Sequence, residues 1–512
     1  MTILGKWLVD ATRARGSAKA LVYRDTYLSW RGLEHRVERR AQEFGTMGVG
    51  KGHWVGLMLG NVPDFAILTL ALSKLGATVV PLDPTTGTRD LALIMEHAPL
   101  RALITRPRGG TDGGASNGMG AKDGPYAPIS AVPASGGTFL GGKDGPPIEA
   151  RRRLQGTLLT CSVFKKPAAA PGDAAVVLYT NDSFGEPKGI LRTNENLEAA
   201  AQLAQKALDV TAEDRILTTV PLYHAYGFDL GLVLALRYGA TLFLEDEVAP
   251  KRIVKLLREQ EINLLPGTPS LYQGLAKLPT AKPLKIKGAR YLSGGSALSD
   301  AVAESFKERW GLRIIPAYHT TETGLVACDK KPPADAGSSV GKAIEGVEVK
   351  IGPPPTSDNK EAPASDAGPL WVRSKSVATR AVGTSARMQQ KLAVNSDRTH
   401  VGSSDDKGWF RTGDLARIDK NGRMFLAGRE DQLVKVDGKR VALGEVEQCL
   451  ESFPRVERAQ ARVITDPLGG PMVVASVVVR GKVAAEEIID HCAKNLAPYK
   501  VPRRIEFRED LL

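Results

Sequence analysis

The N-terminal part of the chain alternates between short apolar runs and segments with helical spacing. Strand-like runs at residues 20–23, 54–59 and 77–81 alternate with helix-like segments at residues 30–47 and 64–75. Alternation of this kind is typical of α/β units, in which helices cover a largely parallel sheet. The pattern therefore predicts an α/β fold for this part of the chain.

Similar patterns continue through the middle of the chain, and a smaller unit follows at its end. Residues 196–208 and 254–259 have helical spacing, whereas the final stretch predicts a strand, a helix and a strand in a compact α+β arrangement. From residue 106 to residue 171 the composition shifts to Gly, Ala, Ser and Pro, which predicts a flexible surface insertion. Within this insertion, residues 157–164 are apolar enough to form a strand.

Composition restricts the class of protein. Hydrophobic residues make up 42% of the 512 residues and charged residues 25%, which is typical of a globular protein. No run approaches the roughly 20 apolar residues of a spanning helix, and the N-terminus lacks a secretory signal, so we expect a cytoplasmic protein. The four cysteines have no metal-binding spacing. The net charge of +12 favours nucleotides, coenzyme A or anionic headgroups at a membrane surface as partners, and no nucleic-acid motif accompanies it.

An apolar strand at residues 176–179 runs into a polar turn that ends in Pro-Lys-Gly. Backbone N–H groups around Gly185, the hydroxyls of Thr180 and Ser183, and the charge of Lys188 can together bind phosphate oxygens. The Walker A pattern is absent. On its residues alone, this stretch fits either a phosphate-binding loop or an exposed turn after a core strand.

An ordered series of motifs resembles the adenylate-forming superfamily, which contains acyl-CoA and aryl-CoA synthetases, luciferases and the adenylation domains of peptide synthetases. Each motif alone is weak, but their order and spacing extend the resemblance over nearly the whole chain. The motifs are LALSKLGATVVP at residues 70–81, the loop at 179–189, PLYHAYG at 221–227, LSGGSALS at 292–299, AYHTTETG at 317–324, GWFRTGDL at 408–415 and GREDQLVKVDGKRVALGEVE at 428–447.

The resemblance implies an α/β fold with two domains. A large N-terminal domain, residues 1–428, would consist of layered subdomains of mixed sheets flanked by helices, and a small mobile α+β domain would follow at residues 429–512. The implied activity is that of an AMP-forming ligase: a fatty or aryl carboxylic acid is joined to the α-phosphate of ATP, and the thiol of coenzyme A then displaces AMP. Because the first step brings two anions together, charge neutralisation and positioning must supply much of the catalysis.

The same resemblance assigns roles around the triphosphate. Thr180, Ser183 and Lys188 would hold the β- and γ-phosphates. Thr321 would contact the α-phosphate, and Glu322 would bind Mg²⁺. A hard cation with few protein oxygens and several phosphate ligands is typical of a nucleotide site.

Further motifs would bind the nucleoside. Gly294 and Gly295 would let the backbone approach a flat adenine, and Tyr318 would offer it a ring face. Asp414 would accept the ribose hydroxyls, with Arg429 assisting. From its residues alone, Asp414 also fits a turn residue that caps its own loop.

The remaining predicted residues serve the acid and the thiol. His224 lies where the family places a residue that gates the acyl pocket, although it fits a packed aromatic cluster as well. Asp431 matches the hinge about which the C-terminal domain rotates between half-reactions. Lys435, Gly438 and Arg440 follow on a hairpin that the resemblance brings into the active site, where Gly438 would pass the pantetheine and Arg440 would meet a phosphate of coenzyme A. Without the family, a basic surface hairpin is the simpler interpretation.

Two departures from the family pattern bear on activity. In the phosphate loop Asn181, Asp182 and Phe184 replace small residues, and a carboxylate about 4 Å from phosphate would cost up to roughly 4 kcal/mol at an effective dielectric of ~20. The chain also ends before the family's lysine-bearing P-x-T-x-x-G-K element, and Lys494 and Lys500 are poor substitutes by position. We therefore expect weak adenylation of the acid, but measurable thioester formation from a preformed acyl-AMP.

Three functions remain open at this point. The first is an acyl-CoA synthetase of fatty acid or aryl acid metabolism. The second is a related ligase that loads an acyl-carrier protein, since no motif separates a free from a tethered pantetheine thiol. The third is a degenerate member that binds a nucleotide or an acyl adenylate with little adenylation activity. The sequence does not predict the acid or the oligomeric state.

Overall fold

The fold is known from a computed structural model of the chain. It describes residues 1–86, 88–106, 148–165, 174–181, 187–279, 282–331, 338–352, 367–378, 380–383, 408–429, 433–436, 439–466, 470–496 and 500–511.

One large sheet contains nine strands of the described residues. Its inner strands pair parallel, and the strands at both ends pair antiparallel. Successive residues point to opposite faces, so that Leu264 and Leu265 enter separate hydrophobic clusters. The order across the sheet is Lys342–Ala343, Gly324–Cys328, Ile314–Thr320, Arg290–Ser293, Leu264–Gly267, Arg215–Thr218, Thr241–Leu244, Lys19–Tyr23 and Thr26–Ser29.

A second sheet contains eight described strands, with a parallel centre and antiparallel flanks. Helices lie between the two large sheets, and their apolar side chains join both sheets in one cluster. The order is Arg380–Val382, Pro187–Thr193, Ala174–Asn181, Thr78–Leu82, Trp54–Met58, Leu100–Thr105, Thr160–Phe164 and Ile148–Arg153.

The helices begin and end with local signals that the sequence carries. Pro63 occupies the first turn of its helix, and Thr193 and Asn196 form a reciprocal capping box. The helices are Ile3–Arg15, Trp30–Thr46, Pro63–Lys74, Thr88–His97, Asn194–Leu208, Ala225–Gly227 continuing through the π-helix Phe228–Val233 into Leu234–Tyr238, then Pro250–Glu259, Pro269–Ala276, Asp300–Trp310, Leu443–Glu451 and Ala485–Asn495. No described helix is both long and apolar enough to cross a membrane.

Smaller sheets complete the C-terminal half. One has the order Glu348–Ile351, Gly368–Arg373, Phe410–Ile418 and Met424–Arg429; a two-stranded sheet pairs Leu433–Val436 with Lys439–Ala442; and a third has the order Val456–Asp466, Gly470–Val479 and Arg504–Phe507. The last of these shares a hydrophobic cluster with the two C-terminal helices, through residues such as Leu450, Val473 and Ile488. This is the α+β unit that the sequence predicts for the end of the chain.

The mixed α/β architecture confirms the predicted fold class, with one correction. The interval 106–171 is not uniformly an irregular insertion, because Ile148–Arg153 and Thr160–Phe164 are paired strands of the second sheet. The second strand fits the apolar pattern at residues 157–164. The first was missed because it is an edge strand with three exposed arginines, and carries no apolar signal. Most other residues of the interval lie outside the described part of the chain.

Candidate active site

Lys188 and Glu322 form a largely buried ion pair. The antiparallel hairpin of Ala174–Asn181 and Pro187–Thr193 sets Lys188 opposite Thr180. The Nζ atom of Lys188 lies 2.9 Å from Oε1 of Glu322, and the two side chains are 11% and 14% exposed. The structure thus brings together the predicted phosphate lysine and the predicted metal-binding carboxylate.

The pair keeps Glu322 ionised. Burial raises the pKa of this carboxyl group, but the charge and hydrogen bond of Lys188 lower it more, together with bonds from the Glu322 backbone and from Thr320. The net pKa lies below the ordinary value. A buried anion beside a buried cation is a suitable place for a second cation and a polyanion.

Acidification tests this arrangement. Because the folded-state pKa of Glu322 lies below its ordinary value of 4.5, the carboxylate stabilises the fold at every pH above that value, and this stabilisation is lost as the pH falls through the folded pKa. The unfolding free energy of the wild type minus that of Glu322→Gln should therefore decrease on going from about pH 6 to about pH 3. Urea titrations at several pH values measure it, and a difference that grows on acidification would contradict the shift.

The turn that carries Thr321 and Glu322 is held by its carbonyl groups. The carbonyl of Thr321 accepts from Nη1 of Arg192 at 3.3 Å. The next carbonyl, of Glu322, accepts from the backbone N–H of Ala378 at 2.7 Å. The carbonyl of Thr323 accepts from Oγ of Ser376, also at 2.7 Å. Three successive carbonyls are thus fixed by three different groups, which limits the motion of the Glu322 side chain.

Tyr318, Asp414 and Arg429 meet beside this turn. The hydroxyl of Tyr318 donates to Oδ2 of Asp414, and Nη1 of Arg429 lies 3.5 Å from the other carboxylate oxygen. Asp414 and Arg429 are direct partners across two antiparallel strands. Burial, followed by the charge of Asp414, raises the pKa of Tyr318 well above its ordinary range, so its hydroxyl stays a donor. The predicted ribose-binding pair and the predicted adenine-facing tyrosine therefore lie in one group.

Gly294 and Gly295 follow the strand Arg290–Ser293 and differ from one another. A Cβ atom at Gly294 would lie 2.9 Å from Cζ of Tyr226, so the ring of Tyr226 itself requires a glycine there. Gly295 has a φ angle of +87°, which favours glycine for conformational reasons. Both positions have structural causes that the sequence alone does not distinguish from nucleotide binding.

His224 is exposed and begins a helix. Its Nδ1 accepts the backbone N–H of Tyr226 at 3.3 Å, which caps the segment Ala225–Gly227. Desolvation by the surrounding protein and the nearby His319 lower the pKa of His224, whereas the charge of Asp229 raises it, and the net pKa is lowered. The buried ring of Tyr226 packs edge-on against His319, at 5.4 Å between ring centroids. His224 is therefore not enclosed in an aromatic cluster, and its gating role stays a prediction.

Gly227 closes the loop that carries His224. A Cβ atom at this position would lie 2.6 Å from the carbonyl oxygen of Val220 and close to that of Pro221. Gly227→Ala should therefore lower the free energy of unfolding by about 1–3 kcal/mol. Gly45→Ala is the matched control, because Gly45 lies in a helix with open space around it. This change should raise the free energy of unfolding by about 1 kcal/mol. Denaturant titration measures both, and equal effects would contradict the crowding.

One group of buried charges was not predicted from sequence. Nη1 of Arg192 lies 3.1 Å from Oδ2 of Asp229, and Nε2 of His319 lies 3.0 Å from the same oxygen. Asp229 is buried. Burial raises the pKa of its carboxyl group, but Arg192 and His319 lower it by more, so the net pKa lies below the ordinary value. These residues are 37 and 90 positions apart in the chain, so no local pattern joins them.

Other predicted residues have a less complete description. Lys435 and Arg440 lie opposite one another on the paired strands Leu433–Val436 and Lys439–Ala442. The hairpin predicted at these positions is thus present. Outside the described residues lie Asp182, Ser183, Gly185, Asp431 and Gly438.

Comparisons with known proteins bear on the family. The family model described as AMP-binding enzyme matches residues 8–380, and the model for the AMP-binding enzyme C-terminal domain matches residues 445–512. A feruloyl-CoA synthase from Amycolatopsis sp is 25% identical over 99% of this chain and 95% of its own length. A crotonobetaine/carnitine–CoA ligase from Salmonella paratyphi A is 23% identical over 98% of this chain and 95% of its own length.

The fold is shared with solved structures. The crystal structure of an anthranilate CoA ligase in complex with anthranoyl-AMP superposes with a TM-score of 0.79 at 21% identity, over 99% of this chain and 93% of the other. The resemblance drawn from the motifs is confirmed. Because the first family model alone spans most of the chain, and the second matches its C-terminal unit, this protein belongs to the family of AMP-binding enzymes.

Proposed function

We propose that the protein is an AMP-forming acid–CoA ligase. The observation that carries this proposal is the convergence of the nucleotide-site candidates, which are scattered through the sequence and yet lie in two adjoining groups. The first group is the ion pair of Lys188 and Glu322, and the second is the contact of Tyr318 with Asp414. Tyr318 lies near the end of the strand Ile314–Thr320, and Glu322 follows two residues after that end. The two groups are therefore neighbours.

In the first half-reaction a carboxylate oxygen forms a bond to the α-phosphorus of ATP, and the bond to the pyrophosphate oxygen breaks. The protein must hold two anions together for this step. Lys188 would neutralise charge on the β- and γ-phosphates, and the hydroxyls of Thr180 and Ser183 and the backbone around Gly185 would donate hydrogen bonds to them. The hydroxyl of Thr321 would bind the α-phosphate.

Nucleotide ligases of this kind use Mg²⁺, and the donors present fit it. Glu322 supplies an ionised carboxylate, and the Thr320 hydroxyl beside it adds a hard oxygen. No cluster of three or more metal-ligating side chains occurs among the described residues. That sparse set suits Mg²⁺ at a nucleotide, which keeps waters and phosphate oxygens and needs one or two carboxylates. When bound there, the ion would withdraw charge from the phosphates; Glu322 would hold it.

The nucleoside would lie between the two groups. Asp414 would accept the ribose hydroxyls, Arg429 would assist, and Tyr318 with Gly294 and Gly295 would face the adenine. Asp414 and Tyr318 are already in contact, so the acceptor is oriented before a ribose arrives. His224, exposed just before the helical segment Ala225–Gly227, would lie beside the acyl group.

In the second half-reaction the sulfur of coenzyme A attacks the acyl carbonyl carbon, and AMP leaves. We infer that residues 429–512 form a separate domain, that Asp431 is its hinge, and that the hairpin with Lys435, Gly438 and Arg440 serves the thiol. The pairing of Lys435 opposite Arg440 supports a basic hairpin suited to phosphates.

We propose an aryl or fatty carboxylic acid as the substrate. The similarity to a feruloyl-CoA synthase favours aryl acids. We infer a cytoplasmic location, since all four cysteines are buried and none forms a disulfide, as expected in a reducing compartment.

The test is an acid panel with two readouts. Acid-dependent exchange of labelled pyrophosphate into ATP reports the first half-reaction, and thioester formation from preformed acyl-AMP reports the second. Ferulate, crotonobetaine and octanoate represent aryl, polar and fatty acids. Exchange with at least one acid and transfer to coenzyme A are expected. Failure of both readouts with every acid would overturn the ligase in favour of a nucleotide-binding protein, and transfer only to a phosphopantetheinylated carrier protein would make it a carrier-loading ligase.

A further inference from the structure

We propose that Arg192 is a positioning residue that, held by Asp229 and His319, fixes the turn of Thr321 and Glu322 for nucleotide binding. The proposal rests on the nucleotide site described above. It assigns a role to a buried set of charges that the ligase chemistry does not itself require.

The strand Pro187–Thr193 places two cations on one face. Lys188 and Arg192 are four residues apart, and in a strand such residues point to the same side of the sheet. Lys188 binds the carboxylate of Glu322, and Arg192 binds the carbonyl of Thr321, the preceding residue. One strand thus contacts two successive residues of the turn, Glu322 through its side chain and Thr321 through its backbone carbonyl.

Stability alone is a poor reason for this arrangement. The side chain of Arg192 is 0% exposed and that of Asp229 is 4% exposed. Taking two charges out of water costs free energy that their attraction seldom recovers, so a buried pair is often no more stable than apolar residues of the same size. A directional role explains the pair better, because the planar guanidinium donates along fixed directions. Its Nη1 atom contacts both Asp229 and the Thr321 carbonyl.

The anchor of the network lies at an irregular helix. Asp229 is in the π-helical segment Phe228–Val233, and π-turns inside helices are common at functional sites. From there its carboxylate reaches Arg192 and His319, and His319 in turn packs against Tyr226, whose ring lies against Gly294. The same charges therefore connect the turn of Glu322 with the strand end that carries Gly294.

The decisive variant removes both charges together. Arg192→Met with Asp229→Asn leaves no unpaired buried charge, and the asparagine can still bond to His319. The matched control is Arg290→Met with Asp214→Asn, which neutralises another largely buried pair, at the nine-stranded sheet. Arg290 lies at the first residue of its strand, whereas Gly294 of the candidate site follows the last. Arg192→Lys is the conservative variant, which keeps the positive charge but loses the planar guanidinium group.

Two readouts separate positioning from a structural role. The first is acid-dependent pyrophosphate exchange, with the KM values of MgATP and of the acid. The second, which needs no turnover, is the rise in melting temperature caused by α,β-methylene-ATP with Mg²⁺ compared with the same analogue in EDTA. For the double variant we expect an unliganded melting temperature within about 4 °C of the wild type. We expect a roughly 10- to 100-fold lower kcat/KM for MgATP with an unchanged KM for the acid, and a reduced Mg²⁺-dependent rise in melting temperature.

Arg192→Lys should fold and give an intermediate loss, whereas the Arg290 and Asp214 control should leave both readouts at wild-type values. Wild-type values in the double variant, or in Arg192→Lys if the double variant does not fold, would overturn the proposal. So would a loss of the same size in the control. If none of the acids supports pyrophosphate exchange by the wild type, the proposed ligase activity is wrong. The Mg²⁺-dependent rise in melting temperature still shows whether Arg192 positions the nucleotide site.

Discussion

Replacing Glu322 with glutamine should lower acid-dependent pyrophosphate exchange by about 100- to 1,000-fold, the loss typical of removing one electrostatic contact to a reacting centre. Glutamine preserves the size of the side chain and removes only its charge. The carboxylate is ionised in the fold because Lys188 lies 2.9 Å away and lowers its pKa against the effect of burial. Without that charge the site loses its proposed ligand for Mg²⁺, and Lys188 loses its charged partner.

The two half-reactions should respond differently. Thioester formation from preformed acyl-AMP needs no triphosphate, so Glu322→Gln should change it by less than about tenfold. Glu348→Gln is the matched control, since Glu348 is also paired with a basic side chain, that of Arg373, but is exposed at the surface. Rapid-quench measurement of each half-reaction gives the comparison. Equal losses in both halves would indicate a disturbed fold rather than a missing charge, and an unchanged exchange rate would remove Glu322 from the site.

A double-mutant cycle makes the pair itself measurable. If Lys188 and Glu322 act as one unit, the effects of Lys188→Met and Glu322→Gln on exchange will not add, because the first change already disrupts what the second removes. The combined variant should then be little slower than the slower single variant. Additive losses would mean that the two residues act on separate parts of the substrate.

Much of the fold was predictable because its central strands are buried on both faces. Runs such as Trp54–Met58 and Thr78–Leu82 are buried along their whole length, so the sequence shows them as continuous apolar segments. Ile148–Arg153 gives no such signal, since its side chains are mostly exposed and three are arginines. The same lack of an apolar run conceals Val456–Asp466, in which charged and polar residues interrupt the apolar ones without a regular period.

The site was predictable only where chemistry is carried by motifs. Glu322 and Asp414 were identified because each lies within a recognisable segment whose order in the chain is informative. Arg192 and Asp229 were missed, since each looks like an ordinary charged residue beside an apolar run. Their partnership depends on the packing of the π-helical segment against a hairpin strand, which no local pattern encodes.

Replacing Asp414 with asparagine should raise the KM for ATP about 10- to 100-fold while changing kcat at saturation much less. A hydrogen bond to a charged acceptor is worth roughly 1.5–3 kcal/mol, and this acceptor is proposed to bind the ribose in ground state and transition state alike. One carboxylate oxygen accepts from the hydroxyl of Tyr318, and the other lies 3.5 Å from Arg429, so the group is already oriented. Initial-rate exchange assays over a range of ATP concentrations measure the effect, with the exposed Asp510→Asn as the control.

Comparing ATP with 2′-deoxy-ATP identifies the contact that Asp414 makes. The wild type should prefer ATP, because the deoxynucleotide lacks one hydroxyl that the carboxylate would accept, and Asp414→Asn should narrow that preference. Tyr318→Phe should keep more of it, since it removes a donor to Asp414 and leaves the charge in place. If Asp414→Asn weakens both nucleotides equally, the carboxylate does not contact the 2′-hydroxyl, and its effect on binding comes from the 3′-hydroxyl or from its contact with Tyr318.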